Sequence, residues 1–268
     1  MSPLLEANVA GIGFWAPRLP GWPLAREVLL GNAPAPEAPA ARVAPALLAP
    51  TERRRAPDTV AIALEVAARA CEMAGLAPAA LPSVFASTHG DLPINDYMCA
   101  TLASTPALIS PTKFHNSVHN AAAGYWTIGT GCTAASTALT AWQHTFGNGL
   151  LEALVQCIAD DTPVLLVAYD VAARGPIAAV TPSSGMLAAA LVLTPAGHAA
   201  AGRRLRCALL PGSAPAAGNA GTWEPLLAGN AMAHCLPLYA ALARAEPARL
   251  DLGIGPGSRL QVDLAGAA

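Results

Sequence analysis

PTKFHNSVHNAAAGYWTIGTGCTAASTALTAWQHTFGNGLLEALVQCIADDTPVLLVAYD, residues 111–170, carries the information on which the fold turns. It opens on a polar cluster with His115 and His119 and passes through a run of small residues. Its second half predicts a strand over 137–141, a helix over about 143–159 and an apolar strand over 164–169. A turn joining a strand to a helix start is where α/β folds commonly hold their functional atoms.

Working outward, 9–15 (VAGIGFW) reads as a first strand entering a glycine turn, and 57–74 keeps a helical apolar period through Ile62, Val66, Ala70 and Met73. Gly75 suits the end of that helix. Residues 84–87 (VFAS) predict a short buried strand that runs into THGD, 88–91, and 96–105 predicts a helix. Beyond the central stretch, strands are expected over 186–193 and 205–210, with helices near 223–227 and 236–243. Residues 259–264 (RLQVDL) read as an edge strand. The Pro/Ala-rich segment 17–50 is expected to be a long surface excursion, and 211–221 a linker. Helices interleaved with short apolar strands predict an α/β sandwich of layers, organised as a single domain over 1–268.

Composition narrows the function. Charged residues make up 12% of the 268-residue chain, against roughly 25% in ordinary soluble domains. A surface so poor in charge points to a partner subunit, or else to a genome biased towards Ala and Pro. The formal net charge of -2 and the lack of any basic run beyond Arg53, Arg54 and Arg55 argue against nucleic-acid binding. No apolar run is long enough to predict a membrane span, and MSPLLEANVAGIG lacks the features of a signal peptide. The six cysteines, none in a C-x-x-C pair, read as small core residues in a reducing compartment, which places the protein in the cytoplasm.

The central polar residues admit several chemistries. His115 and His119 are spaced for one helix face, but Asn116, Ser117 and Val118 between them offer no acidic third ligand. A structural hydrogen-bonded network of His115, Asn116, His119 and Asn120 is the alternative to a metal, and no metal or cofactor is expected. There is no G-x-S-x-G elbow, and Gly129 and Gly131 do not complete a dinucleotide-binding fingerprint. Cys132, flanked by Gly131 and small residues, is a candidate nucleophile, although it precedes the expected helix start.

The segments FHNSVHNAAAGYW (114–126), STALTA (136–141), FGNGLLEA (146–153), VLLVAYD (164–170) and SSGMLAAALVLTP (183–195) together resemble the N-terminal half of a β-ketoacyl synthase. More closely, they are similar to the short chain-length-factor-like subunits of aryl polyene type II synthases. The likeness is strong over 5–195 and reduced over 196–268. It implies a thiolase-like layered sandwich. In condensing enzymes of that family a strand enters a helix at the acylated cysteine. Laying ASTALTAWQ (135–143) over that strand puts Gln143 at the cysteine's position, and chain-length factors similarly carry glutamine there. No H-G-T-G-T segment is present, and neither His198 nor His234 stands in a matching context. The resemblance therefore implies a non-catalytic subunit that pairs with a catalytic β-ketoacyl synthase and meets an acyl carrier protein through that complex. It also implies that Thr137, Ala141, Trp142, Gln143, Phe146 and Trp126 lie at a tunnel wall or subunit interface, with core filling as the alternative for the aromatics. Two rival functions stay open at this stage: an acyltransferase or condensing enzyme using Cys132, and an interaction protein unrelated to acyl chemistry.

Overall fold

A computed structural model describes residues 4–199, 202–214 and 221–266. Strand β1 (Leu4–Ala16) runs straight through the expected glycine turn and continues, after a bend, into the two-residue strand β2 (Leu19–Pro20). Gly11 and Gly13 are there for closeness. A Cβ on Gly11 would strike the backbone oxygen of Ala70, and one on Gly13 that of Val66, so the glycines let helix α3 (Asp58–Ala74) lie directly on the strand. Between β2 and α3 stand α1 (Trp22–Leu29) and the short α2 (Pro50–Arg55). The first of these corrects the expected surface excursion. Trp22, Ala25, Val28 and Leu29 are buried, and Pro23 near its start masked the helix in a Pro/Ala-rich context.

The chain then alternates strand and helix: β3 (Ser83–Ala86), α4 (Leu92–Ser104), α5 (Pro111–Asn116), α6 (Ala121–Thr130), β4 (Ser136–Leu139), α7 (Thr145–Ala159), β5 (Val164–Val171) and β6 (Met186–Pro195). It closes with β7 (Arg203–Pro211), α8 (Glu224–Leu227), α9 (Leu236–Arg244), β8 (Ala248–Gly255) and β9 (Ser258–Leu264). The small-residue run after His119 is a helix, α6, as the high helix propensity of alanine favours. The expected linker 211–221 lies partly outside the described residues.

These strands form one mixed sheet in the order β4-β3-β5-β6-β1-β7-β9-β8, with β2 attached to β1. β3 is parallel to both β4 and β5, and the other pairings are antiparallel. The sequence 259–264 is an inner strand, because β8, unread in the sequence, covers its outer side. β8 carries Arg249, Asp251 and two glycines, a composition that hides the strand period.

β5 is buried along its whole length. Val164, Leu166 and Ala168 enter a core with α7, while Leu165, Val167 and Tyr169 enter a second core under α3 and α6. Burial on both faces explains why the segment reads as an unbroken apolar run. α7 packs on β3 and β5 and also reaches β8. The FGNG sequence permits this: a Cβ on Gly147 would collide with the backbone oxygen of Gly253, and one on Gly149 would come within 2.9 Å of the Ala86 methyl. The result is an α/β layered sandwich of the ketoacyl-synthase and thiolase type, with helices on both faces of one sheet and α7 following directly on its edge strand β4.

Candidate functional site

The turn from β4 into α7 is tightly specified. Thr140 Oγ1 donates to the Thr88 carbonyl at 2.9 Å and so ties the end of β4 to the segment after β3. Ala141 N–H donates to Thr145 Oγ1 at 3.0 Å, and that hydroxyl donates to the Trp142 carbonyl at 2.6 Å. Residues Trp142–His144 form a 3-10 turn immediately ahead of α7. Trp142 holds a φ of 53°, a left-handed conformation that is costly for an aromatic residue. Such strain persists only where surrounding bonds over-determine it, and it concentrates at functional turns. The Trp142 ring meets His89 edge-on at 5.6 Å.

Gln143 is exposed at the outer point of this turn. It faces a cleft of about 460 Å³ shared with His89, Asn230 and His234. A neighbouring cleft of about 350 Å³ is shared by Gln143, His144, His234 and Gly253. The helix proper begins two residues later than expected, at Thr145. A glutamine amide can donate and accept hydrogen bonds here but cannot form a thioester.

A buried acid organises the back of the site. The Asp170 carboxylate accepts from Ser87 Oγ at 2.9 Å, Thr88 N–H at 3.0 Å and His89 N–H at 3.2 Å. Burial pushes its pKa up, and the Thr88 amide is the first of the groups that oppose the rise. Asn230 bridges from the other side, with Nδ2 donating to the Asp170 carbonyl at 3.2 Å and to the Ser184 carbonyl at 2.9 Å. Its Oδ1 accepts from Met232 N–H at 2.9 Å and starts the 3-10 turn Ala231–Cys235 that presents His234. Partial desolvation, with the nearby His144 imidazole second, holds the His234 pKa below the usual histidine value. The adjacent Cys235 thiol is buried and pushed far up, which makes it inert.

The other expected site residues scatter. Thr137 accepts from Gln156 Nε2 at 3.1 Å, on the α7 side of β4, and Ala141 is half-buried in the turn. Trp126 and Phe146 are wholly buried in the two opposite cores. Cys132 follows α6, at the end of β4 away from Gln143, and its thiol, 6% exposed, points at the Leu81 carbonyl at 3.4 Å. His115 and His119 do not share a helix face, because α5 ends at Asn116. His115 leans on Tyr125, Asn116 Nδ2 donates to the Arg55 carbonyl at 3.4 Å, and Asn120 precedes α6. His119 Nε2 lies 2.8 Å from the Ser87 carbonyl, which can only accept, so Nε2–H is the donor of this bond. Among the described residues, no group of three or more His, Cys, Asp or Glu could hold a metal ion.

Sequence reasoning assigned no role to His89, Asp170 or Asn230, and it noted His234 only for its unmatched context. The legible signal was THGD at the end of β3, a polar turn on a buried strand. What links it to Asn230 and His234 is long-range packing.

The architecture is that of the β-ketoacyl synthase fold. The beta-ketoacyl synthase N-terminal domain model matches residues 30–228, and the chain belongs to that family. A structure of a ketosynthase (ApeO) in complex with its chain length factor (ApeC), from Xenorhabdus doucetiae, superimposes with a TM-score of 0.73 at 21% identity, covering 97% of this chain and 99% of that one. The ishigamide ketosynthase/chain length factor aligns with a TM-score of 0.69 at 14% identity, covering 98% and 100%. A ketosynthase from module 1 of the bacillaene synthase of Bacillus amyloliquefaciens FZB42 gives 0.68 at 12% identity, covering 98% and 76%. No curated protein matches the chain by sequence. Among the described residues, no helix is long and apolar enough to cross a membrane.

Proposed function

We propose that this chain is a non-catalytic, chain-length-factor-like subunit that pairs with a catalytic β-ketoacyl synthase and shapes the acyl tunnel of a polyene or fatty-acyl-type pathway. The observation that carries the reading is Gln143 at the point where β4 enters α7, facing the cleft with His89 and His234. Condensation needs a nucleophile to hold the acyl chain and polarised donors for the developing enolate. Donors line this cleft without a thiol.

The surface beside Gln143 supports pairing. β4 is the edge strand, and α6 packs beside it with Ile128 84% exposed. Trp142 is 55% exposed at the end of the same edge. An uncovered strand edge flanked by large apolar side chains calls for a partner, and edge-to-edge pairing would cover both. The acyl carrier protein then meets the complex rather than this chain alone.

Light scattering on the chain co-expressed with a ketosynthase from the same gene neighbourhood tests the pairing. A 1:1 complex is expected, and a monomer beside an independently active synthase overturns the reading. Reconstitution with carrier protein tests the chemistry. Gln143→Cys should not condense acyl chains without the partner's own cysteine, while Ala141→Phe should shorten products without abolishing initiation. Intact-mass measurement with acyl thioesters should give no adduct on Cys132. An adduct lost on Cys132→Ala would move the chemistry to that thiol.

A further inference from the structure

A third cleft, of about 770 Å³, opens where α3, α4 and α5 begin, next to the end of β5. Arg42, Arg54, Arg55, Lys113 and Arg174 all line it. The chain has 15 Lys and Arg in all and a net charge of -2, so this cleft gathers positive charge against the chain's overall sign. Part of that charge is balanced: Arg42 Nε pairs with Asp58 Oδ1 at 2.7 Å, and Arg55 leans on Glu52 at 3.7 Å. Arg54, Lys113 and Arg174 make no ion pair within 4 Å among the described residues, and Lys113 rests over the Tyr97 ring at 4.5 Å within the field of Asp91. Asp91 at the cleft wall is already engaged, accepting from Ile94 N–H at 2.8 Å and Thr59 Oγ1 at 2.7 Å.

The backbone adds to this field. α3 begins at the cleft without a side-chain cap, so the amide end of a 17-residue helix faces the same space, offset in part by Asp58 of its first turn. The rim is anchored as well, since the Asn116 amide, 3% exposed, holds the Arg55 carbonyl and ties α5 to the end of α2.

We propose that this cleft binds a phosphoryl group, held by Arg54 and Arg174 with Lys113 as the third cation. Planar guanidinium forks match phosphate oxygens in pairs, and a concave site suits a compact dianion better than the convex face of an acidic helix. The phosphoryl group can come from a free phosphorylated metabolite or from a phosphodiester arm displayed on a carrier protein. Only the second source rests on the function proposed above.

Calorimetric titration of the full chain with inorganic pyrophosphate at low salt is the direct test. One site is expected, weakened about tenfold for each arginine lost in Arg54→Gln and Arg174→Gln, with Arg206→Gln on the remote strand β7 unchanged. Absence of binding, or equal binding by the wild type and the double variant, overturns the proposal. Apo and holo acyl carrier protein, which differ by the phosphodiester arm, form the second arm. Tighter holo binding that depends on Arg54 and Arg174 supports the displayed source. Equal apo and holo binding, both lost in the double variant, rules out the displayed source, and together with absent pyrophosphate binding it assigns the cleft to an acidic protein surface and overturns the proposal. Light scattering with the synthase separates the two ideas. Intact pairing with lost pyrophosphate binding supports the site. Lost pairing in a chain that never bound pyrophosphate makes the cleft part of the subunit interface and leaves the pairing function standing.

Discussion

The two ends of the sheet solve different problems. From β3 to β5 the strands are parallel and joined by helices, so their chain turns collect at one end and place Thr88, His89 and Gln143 together. From β7 to β9 the strands are antiparallel, and β8 joins β9 by a short hairpin. That end contributes a wall. Gly253 abuts His144, and the segment between β7 and β8 delivers Trp223, Asn230 and His234 to the rest of the molecule. The parallel end thus supplies the turn that a condensing enzyme would use, while the antiparallel end decides what that turn faces.

Breaking the connection between the two ends should have the largest effect. Trp223 is wholly buried, stacks on Phe14 at 5.0 Å and donates from Nε1 to the Ala25 carbonyl at 3.0 Å. Trp223→Ala is expected to cost about 3–5 kcal/mol, read as a lowered denaturant midpoint. A loss under about 1 kcal/mol would mean that the wall is not needed to hold β1 and α1.

Next comes the acid behind the site. Asp170→Ala leaves the Thr88 and His89 amides without their acceptor and should cost about 2–3 kcal/mol. Hydrogen exchange at residues 88 and 89 should accelerate first. If exchange there is unchanged, the carboxylate is not what shapes that turn.

Gly147→Ala probes the contact of α7 with β8. The added methyl meets the Gly253 backbone, and an overpacking cost of about 1–3 kcal/mol is expected. Exchange should rise in β8 more than in β3, and an equal rise in both would mean that the wall and the turn respond as one unit.

A smaller effect concerns pH. The folded pKa of His234 lies below its unfolded value of about 6.5, so the unfolded chain takes the proton first as pH falls. Its contribution to stability is full above that value and declines as pH drops through it. His234→Gln should flatten the melting temperature between about pH 7 and 5. An unchanged pH profile would show that the imidazole does not titrate against folding. Smallest of all, Gln143→Ala should alter stability by no more than about 0.5 kcal/mol, because the side chain is exposed, while changing the affinity for the proposed synthase partner, as read by titration of the two proteins.

Local physics was legible in the residues. Unbroken apolar runs gave β5 and β6, a helical period closed by Gly75 gave α3, and small β-branched residues ahead of a helix gave β4. Those patterns define the layered fold without any coordinates, and the residues alone suggest Gln143 as the position to examine at the β4–α7 turn. Tertiary structure decided the rest. Gly11 and Gly13 read as a turn because a missing Cβ looks the same whether it frees a backbone or admits a helix. α1 escaped notice because its apolar face gains meaning only against Phe14 and Trp223. β8 was invisible because β pairing lends a strand its stability from a neighbour, whatever its own composition. The meeting of Gln143 with His89 and His234 depends on contacts between segments far apart in the chain, and sequence periodicity reports only on residues a turn or two away.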